Sequence, residues 1–392
     1  MEMKRITPRS PRAALEPEQV PMPKRSRRAR HPFVVAGNAL FTLILLVGLV
    51  AGGAAVFGKQ RLEQAGPLAQ DKVVNIPRGG SRDIAELLTR EGVINQPWWV
   101  FVVGVIALKA DLKSGEYQFK RQASLRDVVD TLVEGKVIQH QLTIPEGLTS
   151  EQIVGRLMEN PVLVGNVREV PREGSLLPDT YNFTRGFTRE QMIARMQQVQ
   201  QRLVKEIWER RNTDVPIRAP EQLVVLASII EKETGRPEER TRVAAVFSNR
   251  LKQKMKLQSD PTIIYGLVGG KGTLGRPILK SEIEQPTPFN TYVIEGLPPS
   301  PIANPGRASL EAAANPARTK ELFFVADGTG GHAFADTYDQ HQKNVARLRV
   351  IEQQARDAAN PPPPPATGAQ RPRAQPAAAP KAAGQPPGTR QQ

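Results

Sequence analysis

The sequence predicts an α+β protein with a single N-terminal transmembrane helix and a disordered C-terminal tail. Three observations predict this: a long uncharged apolar segment, repeated patterns of strand, turn and helix after it, and a last segment without large apolar residues. The predicted segments are a cytoplasmic basic tail (1–32), the transmembrane helix (33–57), a small α+β module (70–145), a helical connector (146–219), a mixed α+β domain (220–350) and the tail (360–392).

The segment from Phe33 to Phe57 has 25 residues and no charged side chain. About 20 apolar residues cross a bilayer as a helix, so this segment can span it with some tilt. A cleaved signal peptide is the alternative, but its apolar core has only about 7–15 residues. The cluster KRSRRARH precedes the segment, whereas only Lys59 and Arg61 follow it closely, so the N-terminus is predicted to be cytoplasmic. The chain from Gly58 onward is then expected outside the cytoplasmic membrane. The charges do not identify the organism; the compartment we expect is the gram-negative periplasm, with the chain attached to the inner membrane.

The net charge of +15 raises nucleic acid as a partner, and its distribution argues against one. Residues 1–32 hold nine Lys and Arg against three acids, and residues 355–392 hold five against one, so ten of the fifteen charges lie in the tails. The tail from Asn360 is rich in Pro and Ala and cannot bury enough apolar surface to fold. The absence of cysteine excludes disulfides, thiol catalysis and thiolate metal sites.

Two stretches, starting at Val73 and Gln141, share a short β-branched strand, Ile-Pro-x-Gly, a polar helix start and a helix with one apolar face. The matching apolar residues are Ile76, Ile84 and Leu88 in the first and Ile144, Ile153 and Leu157 in the second, with Ser81 and Thr149 as predicted N-caps. A third copy is predicted from a strand at 115–119 and a helix at 125–132. This part of the chain resembles LysM, a small carbohydrate-binding fold; an ordinary α+β domain without a ligand is the alternative.

An apolar helix is predicted at 220–234, with Pro220 in its first turn and Gly235 at its end. Its last turn carries Glu231 and Glu233. A helix C-terminus and apolar surroundings both disfavour a carboxylate, so the pKa of such an acid should rise. A glutamic acid that stays protonated near neutral pH can act as a general acid. The two side chains are predicted about 200° apart around the helix axis.

A salt-bridge network is the alternative interpretation of these acids, with Lys232, Arg236 or Arg240 as the cations. Helical geometry does not choose between Glu231 and Glu233. The loop LPDTYNF, with Asp179, Tyr181 and Asn182, is a candidate sugar-binding loop, although a turn that packs its tyrosine on the core is an equal alternative.

Five blocks in this order resemble the endolytic murein transglycosylases, the MltG or YceG-like family: SIIEKET, AAVFSNRL, LQSDPTIIYG, NTYVIEGLPPSPIANPGRASLEAAANPA and LFFVADGTGGHAF. With the apolar segment, the LysM-like region and LPDTYNF, the resemblance extends over residues 33–350. It implies a single-pass membrane protein that cuts the bond between N-acetylmuramic acid and N-acetylglucosamine inside nascent glycan strands. The products would carry 1,6-anhydro-N-acetylmuramic acid ends, and strand elongation would be limited.

The resemblance also implies that the catalytic glutamate lies in the EKE sequence. Glu231 is assigned to this role because its interval to Asn249 is similar to that between the first glutamate of EARGE and the NR pair of related spore-cortex lytic enzymes. Glu233 is the fallback. The implied reaction requires one catalytic carboxyl and no metal or other cofactor. Its partners are peptidoglycan glycan strands and the bilayer, with cell-wall synthases as candidate protein partners and no nucleic acid.

Candidate substrate-binding residues are chosen by their type and their block: Asn249, Gln258, Asp260, Tyr265, Asn290 and Tyr292. Two of them have structural alternatives. Asn249 could fix the local backbone instead, and Asp260 could equally be the N-cap of a helix that starts at Pro261. His332 in GGHAF is a weaker candidate than a hydrogen-bonded strand histidine. Two other functions stay open: a muramidase with two carboxylates, and a non-enzymatic anchor that binds peptidoglycan.

Overall fold

The computed structural model describes residues 31–359, and within them the chain is a mixed α+β protein. The predicted basic tail, apart from His31 and Pro32, and the predicted tail 360–392 lie outside the described residues. The described chain divides into two compact units. The first contains the residues up to His140 together with Asn182–Arg185, and the second contains Gln141–Tyr181 and the residues from Gly186 onward.

The first helix, α1 (Pro32–Glu63), is long and apolar enough to cross a membrane. None of its residues is buried, and proline occupies its first turn, where a missing N–H costs nothing. The helix extends six residues beyond the predicted end at Phe57, through a short charged turn that includes Lys59 and Arg61. Its length and composition fit the predicted transmembrane helix.

The first unit continues with a strand, two helices, a strand and a helix. These are β1 (Lys72–Ile76), α2 (Ser81–Arg90), α3 (Trp98–Ala107), β2 (Gly115–Phe119) and α4 (Leu125–Glu134). Strands β1 and β2 pair antiparallel, with Lys72 opposite Phe119 and Ile76 opposite Gly115. The core between sheet and helices includes Ile76, Ile84, Leu88, Phe101, Tyr117, Phe119, Val128 and Leu132.

The strand and helix predicted for the third copy are therefore confirmed at β2 and α4, whereas α3 was not predicted. Ser81 is not an N-cap, because α2 begins with it and Gly80 takes the cap position. The Asp83 carboxylate accepts the Gly80 N–H at 3.2 Å, so this backbone N–H at the start of the helix has a hydrogen-bond partner. From β1 to β2, the first unit therefore has the order strand, helix, helix, strand. Its resemblance to LysM stays a proposal.

The other elements belong mainly to the second unit. They are β3 (His140–Thr143), α5 (Ser150–Glu159), β4 (Thr180–Phe183), α6 (Arg189–Glu209), α7 (Pro220–Glu233), α8 (Arg240–Lys252), α9 (Asp260–Val268), α10 (Lys280–Glu284), α11 (Arg307–Ala314), β5 (Phe323–Ala326), β6 (His332–Ala335) and α12 (Tyr338–Ala359). Strand β3 pairs with β4, and β5 pairs antiparallel with β6. The predicted connector 146–219, apart from Asn182–Arg185, thus forms part of a unit that continues beyond residue 219.

Helix α7 is the central helix of the second unit. Residues Leu223 to Ile230 are all buried, and α6, α8, α9 and α11 pack around it. The helix ends at Glu233, and Thr234 leaves it in an extended conformation with φ −137°. The predicted stop at Gly235 is therefore not needed, because the chain straightens before it reaches the glycine. The two acids lie where this buried helix meets the surface.

Two N-caps offer a matched test of how the second unit is stabilised. Thr149 and Thr188 each accept a backbone N–H of the following helix, from Gln152 and Gln191. Thr149 also donates its hydroxyl to the buried Gly270 carbonyl at 2.6 Å. Thr188→Ala should lower the free energy of unfolding by about 1 kcal/mol, and Thr149→Ala by about 2–3 kcal/mol, because a buried acceptor loses its partner. Urea unfolding of both variants checks this, and equal losses would contradict it.

Candidate active site

The two glutamates at the end of α7 point to different surroundings, as the helical geometry predicts. The Glu231 carboxylate accepts the backbone N–H of Gly306 at 2.9 Å. The Arg240 guanidinium is the next cation, 3.9 Å from the other carboxylate oxygen. Only 7% of the Glu231 side chain is exposed. Of the three cations in the salt-bridge alternative, Arg240 therefore contacts Glu231, at the limit of an ion pair.

A second carboxyl group, that of Glu146, lies beside Glu231. A Cβ atom placed on Gly306 would be 1.7 Å from Glu146 Oε1, so the Glu146 carboxyl rests against the Gly306 backbone that also binds Glu231. Burial raises the pKa of Glu146, and the nearby charge of Glu231 raises it further, against the opposing effect of Arg240. We call these residues, Glu146, Glu231, Arg240 and Gly306, the Glu231 cluster.

Gly147 forms the other side of this cluster. Its φ is +75°, a conformation that disfavours other residues. A Cβ at this position would lie 3.5 Å from Glu231 Cγ. Lys232, the neighbour of Glu231, donates to the Gly147 carbonyl at 3.3 Å rather than to a carboxylate. Glycine at residues 147 and 306 therefore lets the backbone approach the Glu231 and Glu146 side chains closely.

Glu233 lies on the other side of α7, against the start of α9. Its carboxyl group accepts the Ser259 hydroxyl. Burial raises the pKa of Glu233 to about 7; the Ser259 hydrogen bond opposes this rise, and the negative charge of Asp260 adds to it. Glu233 is therefore an acid that is partly protonated near neutral pH.

Three of the candidate substrate-binding residues gather around Glu233 rather than Glu231. The Tyr292 hydroxyl donates to Asp260 at 2.7 Å. Gln258 accepts from the guanidinium of Arg250 at 3.3 Å, and its backbone has a φ of +55°. Asp260 is the first residue of α9, whose N-cap is Ser259, so the structural alternative for Asp260, an N-cap, is wrong.

Tyr265 belongs to a different group of side chains, centred on Glu173. The Tyr265 hydroxyl donates to Glu173 at 3.2 Å, and Ser150 and Asn304 donate to the other carboxylate oxygen. Burial raises the pKa of Glu173 against these hydrogen bonds. Sequence reasoning missed Glu173 because it lies outside the five blocks that carry the resemblance.

The side-chain amides of Asn249 and Asn290 donate to backbone carbonyls of the protein. This corrects their selection as substrate contacts. The Asn249 amide donates to the carbonyls of Thr319 and Glu321 at 3.0 and 2.9 Å. Asn290 is only 1% exposed, and its amide donates to three carbonyls within residues 282–285. Both amides are thus occupied by internal partners.

Glu146 was also missed, although the sequence carries a signal for it. The two Ile-Pro-x-Gly segments have Arg78 in the first copy and Glu146 in the second. The charge at the variable position is thus reversed between the two copies. In the second copy this position lies beside Glu231.

His332 and Tyr181 both have hydrogen-bond partners within the protein, as the structural alternatives for these two residues predict. His332 lies in β6, and Glu239 accepts its backbone N–H at 2.9 Å and contacts its Nδ1 at 2.7 Å. Tyr181 is 4% exposed and donates its hydroxyl to the Leu177 carbonyl at 2.7 Å, so the tyrosine of LPDTYNF packs in the core. Within residues 31–359, no group of three or more His, Asp or Glu side chains is placed to hold a metal ion.

The raised pKa of Glu233 gives a pH-dependent prediction. Between the ordinary glutamate pKa of 4.5 and the folded-state pKa of about 7, the folded chain binds more protons than the unfolded chain. Stability should therefore fall as the pH rises through this window, and the full cost, about 3 kcal/mol, should be present above it. Glu233→Gln keeps an acceptor for Ser259 without the charge, so it should be more stable than the parent at pH 8 and similar at pH 4.

Urea unfolding of the parent and of Glu233→Gln, in the same detergent at both pH values, measures this difference. Glu282→Gln is a suitable control, because the Arg276 guanidinium lowers the pKa of Glu282, the opposite shift. A Glu233→Gln variant that is no more stable than the parent at pH 8 would contradict the prediction.

Comparison with known proteins gives consistent matches. The sequence model of the YceG-like family matches residues 74–347. The chain is 30% identical over 335 residues to the endolytic murein transglycosylase of Bacillus subtilis (strain 168), a match that covers 75% of this chain and 90% of that protein. It is 27% identical over 359 residues to the endolytic murein transglycosylase of Streptococcus pneumoniae serotype 2, covering 78% of this chain and 64% of that protein.

A solved structure is also similar in sequence. The crystal structure of a YceG-like protein from Listeria monocytogenes shares 30% identity with this chain and covers 70% of it and 99% of the Listeria chain. The TM-score of the two structures is 0.43.

Proposed function

The chain belongs to the YceG-like family, and we propose that it is a membrane-attached endolytic lytic transglycosylase of peptidoglycan. It would cut the bond between N-acetylmuramic acid and N-acetylglucosamine inside nascent glycan strands and so limit their length. Two curated relatives that carry the name endolytic murein transglycosylase support the activity. Helix α1, long and apolar enough to span a bilayer, supports attachment to the membrane, which we propose is the inner membrane. The basic cluster that precedes it in the sequence supports a cytoplasmic N-terminus.

The observation that carries the catalytic proposal is the position of Glu231. Its carboxylate is fixed by the Gly306 N–H, lies beside Glu146, and is bordered by glycine backbone at residues 147 and 306. A catalytic acid needs a fixed orientation, and the hydrogen bond from the Gly306 N–H provides it. Glu231 is therefore proposed as the general acid, in agreement with the interval from Glu231 to Asn249 noted in the sequence.

One carboxyl group can perform both halves of the reaction. Protonated Glu231 donates its proton to the glycosidic oxygen as the bond from that oxygen to C1 of the muramic acid breaks. The resulting carboxylate, stabilised by the Gly306 N–H and the Arg240 guanidinium, then accepts the proton of the muramoyl 6-hydroxyl as its oxygen bonds to C1. Glu231 ends in its starting form, no water is consumed, and the product is the 1,6-anhydro sugar.

Glu233 is the second candidate for the acid, and its pKa of about 7 is the observation that favours it. The surface residues Gln258, Asp260 and Tyr292 around it carry the polar groups and the ring that bind sugars. We propose that this side of α7 contributes to strand binding. The internal bond between Glu233 and Ser259 fits a role in joining α7 to α9 better than a role in proton transfer.

A muramidase with two carboxylates remains the alternative reaction, and Glu146 is the specific observation for it. Glycosidases that hydrolyse with retention or inversion use a pair of carboxyl groups across the scissile bond. Glu146 and Glu231 both contact Gly306, so a second carboxyl is present. A non-enzymatic anchor that binds peptidoglycan and organises cell-wall synthases is the alternative from another class. The LysM-like first unit is proposed to bind glycan in either case.

Product analysis tests these proposals. The purified full-length chain in detergent is incubated with uncrosslinked glycan strands, and the products are identified by mass spectrometry. Anhydro-muramic acid ends on fragments of intermediate length support an endolytic transglycosylase. Reducing muramic acid ends, heavier by one water, would establish the muramidase. Unchanged strands that still bind the protein would establish the anchor.

A further inference from the structure

Helix α3 (Trp98–Ala107) is apolar along its whole length, with the sequence WWVFVVGVIA. Phe101, Gly104 and Val105 face the core of the first unit. The opposite face is exposed: Trp99 by 56%, Val103 by 57% and Ile106 by 69%. These three residues are spaced by four and three positions and so form one continuous stripe along the helix. A stripe of large apolar side chains on a soluble surface marks a contact with something apolar.

The exposed stripe lies next to the C-terminal part of α1, within the same unit. A Cβ on Gly104 would be 3.2 Å from Leu62 Cδ2, so glycine allows the two helices to approach. The helices border a groove of about 450 Å³, and its lining on α1 runs from Ala54 to Glu63 and on α3 includes Trp99 and Val103. The exposed apolar surface of α1 therefore continues onto α3.

This part of α1 is the place where the helix would leave the hydrocarbon region. The uncharged segment ends at Phe57, and Lys59, Arg61 and Glu63 follow. Charged side chains at the end of a spanning helix lie at the headgroup level. Because the groove between the two helices is lined by α1 residues on both sides of Phe57, α3 lies at the boundary between acyl chains and headgroups.

The polar neighbours of α3 fit the same boundary. The guanidinium of Arg82 lies 4.9 Å from the ring centre of Trp98, and that of Arg61 lies 5.1 Å from the ring centre of Phe57. Tryptophan rings favour the interface of a bilayer, and arginines beside them can bind lipid phosphates. A dimer contact with a second copy of this chain would not explain why aromatic rings and arginines lie together beside a membrane-spanning helix.

We propose that the exposed face of α3 is a second membrane contact, which lies in the periplasmic interface of the bilayer about 5–10 Å deep. The inference rests on the proposed membrane attachment through α1. Anchoring at two points fixes the orientation of the first unit on the membrane surface, whereas a single helix would leave it free to tilt. The ligand is the lipid surface itself, through its acyl chains and phosphates.

Tryptophan quenching tests this contact in the full-length chain. The chain has three tryptophans, so Trp208→Phe leaves only Trp98 and Trp99. This variant is reconstituted into vesicles of phosphatidylethanolamine and phosphatidylglycerol, with and without bromine on the acyl chains. The emission should lie at short wavelength and be strongly quenched by brominated lipid, whereas acrylamide in the water should quench it little.

A second measurement uses the absence of cysteine in the chain. The variant Val103→Cys is labelled with an environment-sensitive dye and compared with Val73→Cys; Val73 is 50% exposed in β1 of the same unit. The dye at residue 103 should shift to shorter wavelength on reconstitution, and the dye at residue 73 should not. Equal spectra at both sites, together with unquenched tryptophans, would overturn the proposal, as would a Val103→Cys chain that oxidises to a disulfide dimer.

Flotation with the vesicles separates this proposal from the one on which it rests. A chain that fails to float refutes attachment through α1, and the contact of α3 falls with it. A chain that floats, with α3 exposed to water, refutes only the second contact.

Discussion

Glu231→Gln is expected to lower the rate of anhydro-muramic acid formation by about 10²–10⁴-fold, the range that a general acid contributes. Glutamine has the same shape as glutamate and still accepts the Gly306 N–H, so the 2.9 Å contact that orients the side chain can persist. What is lost is the proton for the leaving oxygen and the carboxylate that later removes the proton of the 6-hydroxyl. The measurement is the initial rate of product formation by mass spectrometry.

The matched control is Glu233→Gln, two residues further along the same helix. It should keep the rate within a few fold of the parent, because Glu233 binds Ser259 inside the fold. Glycan binding should be unchanged in Glu231→Gln, which separates a loss of chemistry from a loss of affinity. If Glu233→Gln is inactive and Glu231→Gln is active, the acid is Glu233. If both cut strands at the parent rate, the catalytic proposal fails.

Local sequence patterns predicted several of the helices and strands correctly. The strand at 115–119, the start of α4 at Leu125 and the helix from Pro220 all follow from side-chain alternation, apolar spacing and capping, and the structure has them at those positions. The stripe of α3 was overlooked because a helix that is apolar on all sides has no periodicity to detect. Its 10 residues were also too short to indicate a membrane span.

The candidate site depends on contacts that sequence spacing does not encode. Glu146 and Gly306 are 160 positions apart in the sequence and meet beside Glu231 only because the chain around α7 folds back on itself. Residue type alone favoured Asn290, yet an amide is as suitable for holding three backbone carbonyls as for binding a sugar. Residue type selects candidates, and only the structure shows which of them already have internal partners.

The second large effect concerns Gly306, and it should change catalysis more than stability. Its φ of −75° and ψ of 170° suit any residue, so alanine introduces no backbone strain. The added Cβ would meet Glu146 Oε1 at 1.7 Å and Cδ at 2.1 Å, so the Glu146 carboxyl must move. Because Glu146 is the neighbour of Glu231, Gly306→Ala should lower the rate about 10–100-fold, as displacements of about 1 Å in an active site do.

A double-mutant cycle identifies the cause of that loss. If the clash displaces Glu146 and nothing else, Gly306→Ala combined with Glu146→Ala should have the same rate as Glu146→Ala alone, since the shortened side chain leaves room for the new methyl group. Gly155→Ala, in α5, is the control for the substitution itself, because no atom lies within 4 Å of its added Cβ. It should keep the parent rate and raise stability slightly. A Gly306→Ala chain that retains full activity would show that the Glu146 carboxyl takes no part in positioning Glu231, and the muramidase alternative, which requires both groups, would lose its structural support.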